Sequence, residues 1–282
     1  MVLAVLAAAC APSTAPSTTT TTGAPTTSEP SSTVATPTTQ ARLTPGTTAP
    51  EQCFPEGMPF EQEGFMGRSD LPGDSTAISG VSWTDSGDCA ALTIEFRTAQ
   101  GAPAVDPPTY RGEFLRELGV VRIAFGPDLV DSTLSNQVMS TDLLDAMFVV
   151  WDQETGALVA DVLLEAASLT RIRTVSAPAR LVLEVIRGGP ELPERPDSGP
   201  TTILLSPGPG SLTTPIAIQG YGRAGSTIDI AVRSTAPTRS RELQLAPSPT
   251  AWTLFRSVVD TTTVGIHEVS VGDAPRIALN LP

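Results

Sequence analysis

The chain has 282 residues and a formal net charge of −13, enough length for one large domain or two of ordinary size. That charge repels phosphate backbones, so sequence-independent nucleic-acid binding is excluded as a function. It also opposes adsorption to anionic lipid, so any membrane attachment has to use something other than a basic patch.

Met1 to Cys10 is an apolar run in which three alanines precede the cysteine. It resembles the end of a bacterial lipoprotein signal peptide, and the resemblance implies that Cys10 is lipidated and ties the chain to a membrane. A plain secretory signal and an ordinary apolar stub are the alternatives. Residues 11–52 are dominated by Thr, Ser, Pro, Ala and Gly, with five threonines in a row from Thr18 to Thr22. A stretch of that composition cannot bury enough apolar surface to offset its ordering entropy, so disorder is expected. Extended at ~3.1 Å per residue, forty such residues would reach on the order of 100 Å. No other segment approaches the ~18–20 consecutive apolar residues of a spanning helix.

Of the three cysteines, Cys53 and Cys89 lie in the remaining body. A bridge between them would add about 4 kcal/mol by closing a loop in the unfolded chain. It would also place the body in an oxidising compartment. Metal ligation is the competing use, but a single histidine and two cysteines fall short of a tetrahedral zinc set without help from carboxylates.

Alternation of apolar and polar residues predicts strands at 77–83, 90–96, 120–126, 146–151, 158–164, 169–175 and 181–186. Gly156, after Asp152-Gln153-Glu154-Thr155, suits a hairpin turn. A short helical turn is expected near 140–147, capped by Ser140 or Thr141. The Pro/Gly/charged stretch 188–200 reads as a linker. Strands resume at 203–205, 216–219, 227–233, 251–258, 267–271 and 276–281. The expected fold is therefore all-β, with two sandwich-like domains at 53–187 and 201–282 behind a disordered segment at 11–52.

Leu92-Thr93-Ile94-Glu95-Phe96, Val120 to Phe125 and the closing Pro178-Ala179-Arg180-Leu181-Val182-Leu183-Glu184-Val185 resemble the AMIN and AMIN-like domains. These are all-β modules of bacterial envelope proteins that target wall amidases and some secretin pores. Leu205-Ser206-Pro207-Gly208-Pro209-Gly210-Ser211, Thr214 to Gly220, Ser226 to Val232 and Trp252 to Phe255 are similar to the immunoglobulin-like module called Gmad2. Neither family is defined by catalytic residues, so the two resemblances imply a binding role in the envelope.

Gly220-Tyr221-Gly222-Arg223-Ala224-Gly225 fits G-x-G-x-x-G, but an alternating strand follows where a dinucleotide site needs a helix. His267 is the only histidine, it sits in a predicted strand, and no G-x-S-x-G elbow accompanies it. The loop acids Asp70, Asp74, Asp85, Asp88, Asp106, Asp128 and Asp131 stand among turn residues, where Asp usually bonds its own backbone. Trp83, Trp151 and Trp252 are candidate platforms for sugar rings, with core packing as the alternative. Arg180 falls on the outward phase of its strand, able to grip a carboxylate or simply to be solvated. The expectation is a protein without enzymatic chemistry or cofactor, outside the cytoplasm on a lipid anchor. Its partner would be peptidoglycan, another envelope polymer or an envelope protein, with a wall-glycan hydrolase as the remaining alternative.

Overall fold

The structure is a computed structural model that describes residues 53–54, 59–211, 214–234, 238–261 and 265–281. Cys10 and the segment 11–52 lie outside the described residues. All described residues belong to one compact unit. Their regular structure is β apart from a single 3-10 turn at Arg116–Leu118. In chain order the strands are β1 (Gly64–Ser69), β2 (Ala77–Asp85), β3 (Cys89–Arg97), β4 (Tyr110–Leu115), β5 (Val120–Phe125), β6 (Asp131–Ser132), β7 (Asn136–Val138), β8 (Leu144–Asp152), β9 (Ala157–Leu164) and β10 (Ser168–Val175). They continue as β11 (Arg180–Arg187), β12 (Thr202–Ser206), β13 (Gly210–Ser211), β14 (Ile216–Arg223), β15 (Thr227–Arg233), β16 (Arg239–Gln244), β17 (Trp252–Val259), β18 (Gly265–Val271) and β19 (Ile277–Leu281). The helical turn expected near 140–147 is instead the approach to β8. There the Thr141 hydroxyl accepts the Leu144 N–H at 2.9 Å and starts the strand.

Three sheets form. One runs β1-β4-β5-β9-β8-β17-β14-β12 with β7 added beside β8; the others run β10-β11-β3-β2-β6 and β13-β19-β18-β15-β16. Alternation decides which face each strand buries. Leu92, Ile94 and Phe96 of β3 and Leu181, Leu183 and Val185 of β11 meet Val121, Ile123, Met147, Val149, Ala160 and Val162 of the long sheet in a first core. Ile218 and Phe255 of that same sheet meet Ile228, Ile230, Val269, Val271 and Leu279 in a second.

The long sheet is continuous across the expected boundary, because β8 and β17 pair in parallel through Thr253–Trp151 and Leu254–Asp152. The stretch 188–200 packs back on the body, where Leu192 lies against the first core. Its Arg195 donates to the Leu164 carbonyl at 2.9 Å and to Asp145 at 2.8 Å.

On the other face of the long sheet a third core joins the halves: Val120, Phe148, Val150, Val159 and Leu163 on one side, Leu205, Tyr221, Trp252 and Leu254 on the other. The Phe148 ring lies 5.0 Å from that of Tyr221 and edge-on to that of Trp252 at 6.0 Å. Within this apolar seam sits Asp161, fully buried. Arg122, its direct neighbour across β5 and β9, grips it with Nε at 2.8 Å and Nη2 at 2.6 Å. The Tyr221 hydroxyl donates to the same carboxylate at 2.7 Å. With its amide oxygen turned inward, Gln219 accepts from Arg122 at 2.9 and 3.0 Å. Three strand spacings separate Tyr221 from Asp161, about 14 Å in a flat sheet and beyond a tyrosine's reach. The bond therefore requires the sheet to fold over at β8–β17, which its two-residue pairing permits. Burial works against the Arg122 charge, but Asp161 outweighs it and raises the pKa. Burial, with Asp161 close by, holds the Tyr221 phenol well above its usual range.

A second bond set at the seam pairs Arg256 of β17 with buried Asp152 at 3.0 Å and with Glu154 at 2.9 Å. Burial opposes the Asp152 charge, yet the bonds and charge of Arg256 prevail and lower its pKa. That carboxylate should contribute stability fully above its ordinary value of 3.8, lost as pH falls through the lower folded value. Arg256→Met should flatten the acid limb of a plot of urea midpoint against pH. An unchanged limb would argue against the pair.

Two substitutions test the seam itself. Tyr221→Phe removes a donor from a buried carboxylate and should cost about 1–3 kcal/mol. Asp161→Ala strands Arg122 without its partner and should cost about 3–5 kcal/mol. Urea unfolding of the wild type should show one transition that both changes shift. Two separate transitions, with Tyr221→Phe moving neither, would mean the halves fold independently.

Candidate functional site

The outward face of the β10-β11-β3-β2-β6 sheet carries the odd residues of β3, Cys89 to Glu95, and the even residues of β11, Arg180 to Ile186. The register Arg180↔Glu95 and Glu184↔Ala91 sets them side by side. The Cys89 end of this face is covered. Cys53 is bonded to Cys89, with the two Cα atoms 5.8 Å apart. Phe60 lies under the Arg171 guanidinium, 4.4 Å from ring centroid to Cζ. Glu61 exchanges two backbone hydrogen bonds with Thr170 at the free edge of β10, at 2.8 and 2.9 Å. Beneath this strap Glu184 is buried and receives Nε of Arg171 at 2.5 Å and Nε of Arg173 at 3.2 Å.

The opposite end of the face is open. Six residues along β3 from Cys89, about 20 Å in extended chain, a groove of about 310 Å³ opens between β3 and the turn entering β11. Ser79, Glu95, Arg97, Pro103, Pro178 and Arg180 line it. Its outer wall is set by backbone bonds from Ala177 to the Val105 carbonyl and from Ala179 to the Ala104 carbonyl, both 2.8 Å. The β-bulge between Ile78 and Gly80 brings Gly80 opposite Glu95. The Glu95 carboxylate lies over Gly80, where any Cβ would stand 2.9 Å from Oε2. Arg97 leans away toward Asp131 at 3.6 Å. Arg180 Nε is enclosed and has no hydrogen-bond partner among the described residues. A second groove, near Gly119 and Glu165, contains Arg195, but that guanidinium is already engaged by Asp145 and Glu165.

Of the residues singled out in the sequence, Arg180 alone lines this groove. Trp83 is opposite Leu92 and shares its phase, so it points to the core side of the sheet and is 37% exposed at the margin. Trp151 belongs to another sheet and packs against the first core. The structure thus does not bring the two tryptophans to Arg180. Phe65 of β1, in a strand without clear alternation, is the aromatic left most open, at 52%.

Several of the remaining candidates are engaged within the fold. His267 is buried in β18, in phase with Val269 and Val271. Asp74 accepts the N–H groups of Val105 and Asp106 at 2.9 and 3.0 Å, and Asp85 accepts that of Gly87 at 2.6 Å. Asp88 pairs with Arg187 and Asp70 with Arg68, both at 3.1 Å. In the glycine motif, a Cβ on Gly220 would strike the Ile203 carbonyl and one on Gly222 the side chains of Ile228 and Leu245, while Gly225 takes φ 74° in the turn. Those glycines serve strand packing. Among the described residues no group of three or more His, Cys, Asp or Glu is arranged to hold a metal ion.

Glu95 and Arg97 were not singled out from sequence. Alternation in β3 sets Glu95 outward, but its place opposite Arg180 depends on a register between strands 85 residues apart. No protein-family model matches the chain, and no curated protein matches it by sequence.

The strap yields a direct test. Replacing both Cys53 and Cys89 by Ser should lower unfolding free energy by about 4 kcal/mol and speed amide exchange at Thr170. Unchanged exchange at Thr170 would show that the strap holds without its bridge.

Proposed function

We propose that this chain is a non-catalytic envelope lipoprotein whose β-body docks on peptidoglycan or another envelope polymer. In this reading lipid on Cys10 and the polar segment 11–52 hold the body outside the membrane. The observation that carries the proposal is the Arg180 guanidinium, which lines a groove and has no hydrogen-bond or ion-pair partner among the described residues. A half-buried guanidinium without an acceptor is costly, and a carboxylate arriving from a ligand would satisfy it with charge-assisted bonds.

Three further points support it. A bridged Cys53–Cys89 suits an oxidising compartment. Asp74 and Asp85 accept backbone N–H groups of their loops and His267 fills the core, which favours binding over hydrolysis at those residues. The likeness of 77–187 to AMIN-like domains and of 201–282 to the Gmad2 module points to wall contact. Many such weak contacts, repeated along a tethered polymer, add up through effective concentration.

Sedimentation of the full chain with insoluble peptidoglycan tests the proposal. The wild type should pellet, and Arg180→Gln should weaken retention about 10-fold or more, the loss of one hydrogen bond to a charged group. The variant should melt at the wild-type temperature. Equal pelleting of both proteins would remove Arg180 from the site. Failure of the wild type to pellet, together with a crosslink to one envelope protein, would replace polymer binding by an adaptor role.

A further inference from the structure

Arg180 and Glu95 stand directly opposite each other on β11 and β3, with side chains on the same face of the sheet. Opposite charges so placed normally pair. Here they do not: among the described residues no hydrogen bond or ion pair engages either side chain. Glu95 is laid away over Gly80, a position open only because that residue has no Cβ. Arg180 lines the groove with its Nε buried and unbonded. The groove between them therefore presents one unpaired cation and one unpaired anion, and Arg97 is drawn off to Asp131.

A simple anion would satisfy Arg180 and be repelled by Glu95; a simple cation would meet the reverse. A group carrying both charges satisfies both walls. We infer that the groove recognises an amino-acid zwitterion, its carboxylate received by Arg180 and its ammonium by Glu95. The groove, about 310 Å³, accommodates one such end group with a short aliphatic chain. The inference rests on the reading of the chain as a binder of envelope polymer, since a peptide branch containing a diamino diacid presents a free ammonium and carboxylate together at the end of that side chain.

The probe is diaminopimelate, which carries a zwitterion at each end, compared with pimelate, which keeps only the carboxylates, and cadaverine, which keeps only the ammonium groups. Titration into the ¹⁵N-labelled full chain should shift the amides of Gly80, Glu95 and Arg180 with diaminopimelate. Pimelate and cadaverine should bind at least ten-fold more weakly. Glu95→Gln should lose discrimination against pimelate, and Arg180→Gln should lose binding of the zwitterion. Should a variant misfold, the three titrations on the wild type decide by themselves. Pimelate binding as well as diaminopimelate would reduce the groove to an anion site and overturn the inference. So would pelleting of the chain with peptidoglycan without any shift from diaminopimelate, an outcome that leaves polymer binding standing. Shifts at these amides without pelleting would uphold the zwitterion site while removing the polymer.

Discussion

The arrangement of this protein depends on one buried carboxylate. Asp161 sits in a strand that is otherwise apolar, on the face of the long sheet where the two halves meet. Left alone there, its charge would cost several kcal/mol of desolvation. The bidentate grip of Arg122 comes from its own half of the chain, and the Tyr221 hydroxyl comes from the other. Asp161 is thus fully satisfied only when both halves are in place. Ionic bonding of this kind adds less to stability than the Phe148, Tyr221 and Trp252 packing around it. Its contribution is to specify one geometry, because apolar surfaces could slide and a carboxylate held by three bonds from two partners cannot.

Fixing the seam has a consequence for the opposite layer. The long sheet presents one face to the seam and the other to the first core, so the sheet containing β3 and β11 is held on a rigid backing. Its outward face is divided lengthwise. The disulfide, Phe60 and Glu61 close one end over the Glu184 cluster, while the other end keeps the open Arg180 groove.

The groove's chemistry follows from what its neighbours do with their charges. Other arginines of this sheet are spent on acids: Arg97 on Asp131, Arg187 on Asp88, Arg171 and Arg173 on Glu184. In a chain with 30 acids and 17 arginines, an arginine bonded to no acid among the described residues is conspicuous. Its cross-strand neighbour Glu95 is the obvious partner, and the Gly80 bulge is what lets that side chain lie elsewhere.

The sequence by itself determined the all-β class, most of the long strands and the Cys53–Cys89 pairing. Period-two burial and cysteine arithmetic act locally, residue by residue, and survive without knowledge of neighbours. It did not reveal β1, whose two glycines blunt the alternation, or β16, a mostly polar edge strand in which Leu243 alone packs against the core. It read 140–147 as a helical turn because serine and threonine caps suit helices and strand starts alike. Single polar residues in apolar strands, Arg122 in Val-Val-Arg-Ile-Ala-Phe and Asp161 in Ala-Leu-Val-Ala-Asp-Val-Leu-Leu, carried a signal that something polar was buried. Which residues met there, and that Arg180 faced Glu95 rather than solvent, only the tertiary structure decided. Register and sheet folding join strands far apart in the chain, and no local periodicity encodes that choice.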